Sequence, residues 1–140
     1  MRSLSVVVVV LLLAGIGMAV AQPLTLVEDG NAVATIVLAE APTRAAQFAA
    51  AELQYHVAEM TGATLPMVAD DEPIPEPAIL VGESAATRSL GLKSADFEPQ
   101  EYLIRFRPRA LVLMGRDADD HGTMDYQNAS TFPGDFDEQG

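Results

Sequence analysis

The run Asp117-Ala118-Asp119-Asp120-His121-Gly122 comes nearest to a chemical site in this sequence. Asp117, Asp119, Gly122 and Asp125 fall at positions 1, 3, 6 and 9 of a calcium loop, a spacing that wraps oxygen ligands round a hard cation. The match breaks at position 5, where His121 replaces an oxygen donor, and at position 12, where Asn128 replaces a bidentate Glu. The run is therefore expected to be a solvated acidic loop. Acid–base work on a glycosidic bond is the other chemistry that carboxyl groups offer, and it needs two of them at a fixed separation with one held protonated. Glu52 and Glu59 sit in a helical stretch, and Asp70, Asp71, Glu72 and Glu76 in a proline-rich one. Neither set is a positioned pair, and both are expected to be solubilising charge.

The remaining reactive types are sparse. His56 and His121 have no Ser or Cys in a motif that would make either a general base. Ser84 follows Gly82-Glu83 rather than standing in a Gly-x-Ser-x-Gly elbow, so helix capping is its expected role. Asn128-Ala129-Ser130 matches the N-glycosylation acceptor, which matters only in a eukaryotic secretory pathway. The chain has 140 residues, no Cys, and 20 Asp+Glu against 8 Lys+Arg, for a net charge of −12. Without sulfur there is no disulfide scaffold, zinc ribbon, iron–sulfur site or thiolate nucleophile. The charge argues against nucleic acid and anionic membrane as partners, because both bind through Lys and Arg.

The first residues carry a different message. Arg2 precedes an unbroken aliphatic run over residues 6–13, and Ala19-Val20-Ala21 is a small-x-small cleavage site. Residues 1–21 therefore read as a secretory signal peptide, the apolar run being shorter than the roughly 20 residues of a spanning helix. The chain is expected to be exported to the periplasm or beyond, meeting a membrane only through this segment.

From residue 22 onward the hydropathy pattern defines the elements. Segments 24–28 and 33–38 flank the turn cluster Asp29-Gly30-Asn31 and predict a β-hairpin. Ala46, Ala50, Leu53, Val57 and Met60 recur at helical spacing, with Thr43 as N-cap and Gly62 as C-cap. Arg44, Gln47, Gln54, His56 and Glu59 form the face expected to meet water. Strands are predicted over 65–68 and 78–81, a stiff loop over 70–77, and a short helix from the Ser84 cap to Leu90. A second hairpin is predicted from 101–107 and 110–115, with Tyr102, Ile104 and Phe106 on its buried side. Residues 116–140 contain no Val, Ile or Leu and cannot build a core alone. The order of elements predicts an α+β fold with an antiparallel-rich sheet and one long and one short helix packed on one face.

Several of these stretches together resemble a known family. Ala50-Ala51-Glu52-Leu53 followed by Thr61-Gly62-Ala63-Thr64-Leu65-Pro66, then Ile79-Leu80-Val81-Gly82-Glu83-Ser84, Glu101-Tyr102-Leu103-Ile104 and Leu111-Val112-Leu113-Met114-Gly115-Arg116-Asp117 carry the likeness. The chain resembles the small non-catalytic N-terminal domain that precedes the catalytic barrel in α-glucuronidases and β-N-acetylhexosaminidases. The likeness covers residues 24–117, and the helix-to-TGAxLP block is its most specific part. It implies a hexosaminidase domain-2-like sandwich over residues 22–117, followed by an acidic, truncated tail over 118–140. It also implies an accessory domain of an exported polysaccharide-degrading glycoside hydrolase, with the catalytic barrel of the parent chain as its partner. The family's catalytic carboxylates lie on that barrel, so no catalytic, cofactor or metal residue is assigned here, and this chain alone is not expected to be an enzyme. Tyr126, Phe132 and Phe136 would then anchor a loop docked on the barrel, or stack on sugar rings. The competing expectation is a free-standing secreted carbohydrate- or calcium-binding module with its site in residues 117–137.

Overall fold

The computed structural model describes residues 23–71 and 73–133. The signal-peptide segment, Glu72 and residues 134–140, Phe136 among them, lie outside the described residues. The elements are strands β1 (Val27–Glu28), β2 (Asn31–Ala32) and β3 (Thr35–Leu38), helix α1 (Arg44–Thr61), strands β4 (Met67–Ala69) and β5 (Ala78–Val81), helix α2 (Ala85–Ser89), and strands β6 (Tyr102–Arg107) and β7 (Ala110–Gly115). The coarse class is α+β, with a five-stranded mixed sheet ordered β4-β3-β5-β7-β6 and a separate two-stranded ladder of β1 and β2.

The sheet is not the antiparallel-rich one expected. β3 pairs in parallel with both β4 and β5, β5 pairs in parallel with β7, and only β6 runs antiparallel, against β7. The first predicted hairpin shrinks to the β1–β2 ladder, because Val33 and Ala34 both donate their N–H to the Leu26 carbonyl and turn β3 into the large sheet. A parallel sheet needs crossovers that bring layers to its faces, so its central strands are buried on both sides. All four residues of β5 are buried accordingly.

The helices lie on opposite faces, not on one. Ala46, Ala50 and Val57 of α1 join Ile36, Leu65, Ile79 and Val81 in one core cluster. Val37, Ala78, Leu80, Val112 and Met114 form the other, covered by Ala86 of α2 together with Ile74, Leu92 and Phe97. Burying each large aliphatic side chain contributes about 1.5–3 kcal/mol, which holds both layers to the sheet. Met60, expected on the buried stripe of α1, is 76 % exposed and lies beyond Val57, where the buried stripe of the helix ends.

Both helices begin where the sequence says they should. The Thr43 hydroxyl accepts the Ala46 N–H, and Gly62 closes α1 in the left-handed region while its N–H reaches the Ala58 carbonyl. Ser84 and Thr87 form a reciprocal capping box on α2. Gly82, just beyond β5, has φ +73, and a Cβ there would stand 2.7 Å from the Cβ of Ala46. Only glycine lets α1 approach the sheet this closely. Gly82→Ala is expected to lower unfolding stability by about 2–4 kcal/mol, from the left-handed backbone and the overpacking combined, read as a reduced midpoint in urea denaturation.

Candidate functional site

β4 and β5 both follow β3 in the chain yet flank it on opposite sides, and ligand clefts of open α/β sheets form at such reversals, beyond the carboxyl ends of the strands. A cleft of about 740 Å³ opens there. Glu40, Asp70, Asp71, Glu83, Asp117 and Asp119 line it, with Arg88, Arg116, Thr43, Ser94 and His121. The loops after β3, β4, β5 and β7 thus bring together carboxylates that are far apart in sequence.

Most of these groups hold structure. Asp70 accepts the Ala86 N–H at 3.1 Å and so tethers the loop after β4 to the start of α2. Glu83 accepts the Ser94 N–H at 2.7 Å and a bond from Arg88 at 3.2 Å. The Ser94 bond, with Arg88 adding to it, keeps the Glu83 carboxyl below its usual pKa. Asp117 accepts from the Thr43 hydroxyl at 2.8 Å, joining the end of β7 to the cap of α1. Arg116 donates to the Phe97 carbonyl at 3.2 Å. His121 places Nδ1 2.8 Å from the Ala41 carbonyl and Nε2 3.0 Å from Asp119. A general acid needs a carboxyl pushed upward, and among the described residues the cleft carboxyl with a clear shift, Glu83, moves downward. Among the described residues, no group of three or more His, Asp or Glu is placed to hold a metal ion.

The acidic loop is largely exposed, as expected, and it also runs as a strap across α1. Its backbone enters at Asp120, whose carbonyl accepts the Arg44 N–H at 2.7 Å, while Arg44 Nε donates to the Asp120 carboxylate at 2.7 Å. Arg44 also reaches the Thr131 carbonyl at 3.3 Å, spanning both ends of the strap. The Gln47 amide grips its middle, donating to the Gly122 carbonyl at 2.8 Å and accepting the Met124 N–H at 3.0 Å. Tyr126 donates its hydroxyl to Glu52 at 2.5 Å, and its ring sits 6.2 Å from Phe48 and 6.0 Å from Tyr55. Phe132 packs 4.8 Å from Phe48.

These contacts revise the roles assigned to the strap residues. Tyr126 and Phe132 anchor the strap on a surface of their own chain, the Phe48 and Tyr55 side of α1. Of the acids in the first helix, Glu52 also meets His56 at 3.2 Å, and Glu59 is exposed. Glu76 pairs with Arg109 at the other end of the sheet, 2.7 Å apart. Asn128 caps a 3-10 turn by accepting the Ser130 N–H. The signal that sequence reading missed is a second stripe on α1. Arg44, Phe48, Glu52 and Tyr55 recur at helical spacing, and two aromatic residues on a face assigned to water need a cover.

A second feature lies on the other flank of α1. β6 continues the sheet past the helix, and its register sets Ile104 opposite Leu113 and Phe106 opposite Leu111, on the α1 side. Tyr102, Ile104 and Phe106 were expected to be buried, yet they are 74, 59 and 69 % exposed because α1 covers only the β3–β5 half of this face. Between them and α1 runs a groove of about 260 Å³, lined by Ala45, Ala49, Leu113, Met114 and Asp117. Family models, curated proteins and solved structures contain no match to this chain.

Two measurements check the strap. The Glu52 bond, followed by burial and the Glu52 charge, pushes the Tyr126 phenol from 10.0 up to about 12. A raised pKa stabilises the protonated form, so the phenol's contribution is whole below about pH 10 and lost as pH rises through about 12. Ultraviolet titration should show a tyrosinate step near pH 12 that Tyr126→Phe removes. The Asp120 carboxyl is held below its usual range, first by Arg44 and then by the Gly122 N–H. Its contribution is present above that range and lost as pH falls through the depressed value. Protease cleavage within residues 117–133 should therefore rise on acidification, and Asp120→Asn should show the elevated rate already at neutral pH.

Proposed function

We propose that this chain is a non-catalytic accessory domain of an exported glycoside hydrolase of the α-glucuronidase or hexosaminidase kind. In this reading the bare face of β6 beside α1 packs on the catalytic barrel. The observation that carries it is the exposed row of Tyr102, Ile104 and Phe106. Three such side chains expose on the order of 400 Å² of contiguous apolar surface, a size at which a patch serves binding. The cleft supports the same reading, since three of its carboxylates, Asp70, Glu83 and Asp117, are committed to tethering helix starts and joining loops. The free-standing calcium- or carbohydrate-binding alternative has less support, because Asp117, Asp120, Tyr126 and Phe132 are engaged in holding the strap on α1.

The experiment has two arms. The chain is assayed on nitrophenyl glucuronides and N-acetylglucosaminides, where no turnover above the buffer blank is expected. It is then added in large excess to glucuronidase and hexosaminidase barrels that lack their own N-terminal domains. One of them should gain several degrees in Tm, as binding to the folded form alone requires. Turnover by the chain, or no shift in either barrel, overturns the proposal.

A further inference from the structure

The cations of this acidic chain are unevenly used. Arg44, Arg88 and Arg109 each meet a carboxylate, and Arg116 donates to the Phe97 carbonyl. Arg105 and Arg107 of β6 are exposed and meet no acid among the described residues, although the chain holds 20. Their register gives the reason. On the β7 side Arg105 lies opposite Val112 and Arg107 opposite Ala110, and on the other side β6 has no neighbouring strand. The cross-strand positions from which a carboxylate would reach these guanidiniums therefore lie beyond the edge of the sheet, about 4.8 Å from β6.

The main chain of that edge is equally unpaired. The two-residue turn Pro108-Arg109 closes on the Arg107–Ala110 pair, which is therefore a hydrogen-bonded pair, and such pairs alternate along an antiparallel ladder. Leu103, Arg105 and Arg107 thus bond to β7, while the N–H and C=O groups of Tyr102, Ile104 and Phe106 point outward. The side chains of the first set lie on the α2 side of the sheet and those of the second on the α1 side. A strand laid along this edge would set every second residue beside the guanidiniums and the intervening ones beside the apolar row. A second copy of β6 is a poor occupant, because it brings Arg against Arg.

From this geometry we infer that the free edge of β6 binds an extended segment of a partner protein in which acidic residues alternate with apolar ones. The segment adds a sixth strand to the five-stranded sheet, bonding through the outward groups of Tyr102, Ile104 and Phe106. Its carboxylates pair with Arg105 and Arg107, and its apolar residues extend the row on the α1 side. Main-chain bonds supply affinity that any strand would share, and the two guanidiniums select for acid. The inference goes beyond the accessory-domain reading and does not rest on it, since that reading uses the apolar face and this one the strand edge.

The test titrates three short synthetic peptides into the isotope-labelled chain and follows amide shifts and solvent exchange. One alternates Glu and Val, one alternates Lys and Val, and one has the residues of the first regrouped into a Glu block and a Val block. Only the alternating Glu peptide should saturate. At saturation the amides of Tyr102, Ile104 and Phe106 should gain protection from exchange, while those of Leu103, Arg105 and Arg107, already bonded to β7, change little. The double variant Arg105→Glu with Arg107→Glu should bind the Glu peptide at least roughly tenfold more weakly and take the Lys peptide instead. Both side chains are exposed, so the variant should fold, and a cooperative melt with a dispersed spectrum establishes that it has. If it has not, Arg105→Gln with Arg107→Gln replaces it, with the same loss expected for the Glu peptide. No saturation by the alternating Glu peptide, or unchanged affinity in the folded variant, would overturn the inference. So would equal binding of the block peptide, which needs charge alone, or shifts without new protection at Tyr102, Ile104 and Phe106, which show contact without an added strand.

Discussion

Burial of β3 and β5 on both faces is the constraint from which the rest of the molecule follows. Ile36 and Ile79 face α1 while Val37 and Leu80 face the α2 side, and none is appreciably exposed. Two parallel neighbours for β3 oblige the chain to cross over the sheet between strands, and those crossovers supply the covering layers. The helix that crosses first is long enough to span the core but not wide enough to reach the sheet edge. Full burial at the centre and bare aromatic rings at β6 thus have one cause.

The excess of acid finds its use at the carboxyl ends of the strands. There the loops leave helix N-termini and loop N–H groups in need of acceptors, and Asp70 and Glu83 supply them, at Ala86 and at Ser94. Asp117 and Asp120 do the same work between the strap and α1, using Thr43 and Arg44. The negative charge is therefore partly architectural. It binds four loops and two helices into one end of the domain.

Local signals in the sequence located the elements well and their partners poorly. Thr43, Gly62 and Ser84 marked helix ends because a cap is a contact between neighbours, and the apolar runs at 78–81 and 110–115 became β5 and β7. Strand order is a long-range property, and two apparent hairpins drew the reading toward an antiparallel sheet. The clue to the contrary was the composition of 78–81, continuous rather than alternating, which marks a strand covered on both sides. Alternation at Tyr102, Ile104 and Phe106 correctly showed two faces but not whether the apolar one has a cover. The strap was hidden for a related reason. Its anchors are on α1, some eighty residues earlier, and only the unexplained Phe48 and Tyr55 hinted that the outer face of that helix was taken.

β6 also bears on solubility. An edge strand offers unpaired N–H and C=O groups to any other strand, and apolar side chains on one of its faces add to the hazard of fibrous stacking. Here Arg105 and Arg107 alternate with the apolar residues, and Pro108 follows at once. Strand-to-strand pairing of two copies would set guanidiniums beside guanidiniums along the new ladder, a like-charge contact that disfavours it. The same strand thus leaves one apolar face exposed while it guards its edge against copies of itself.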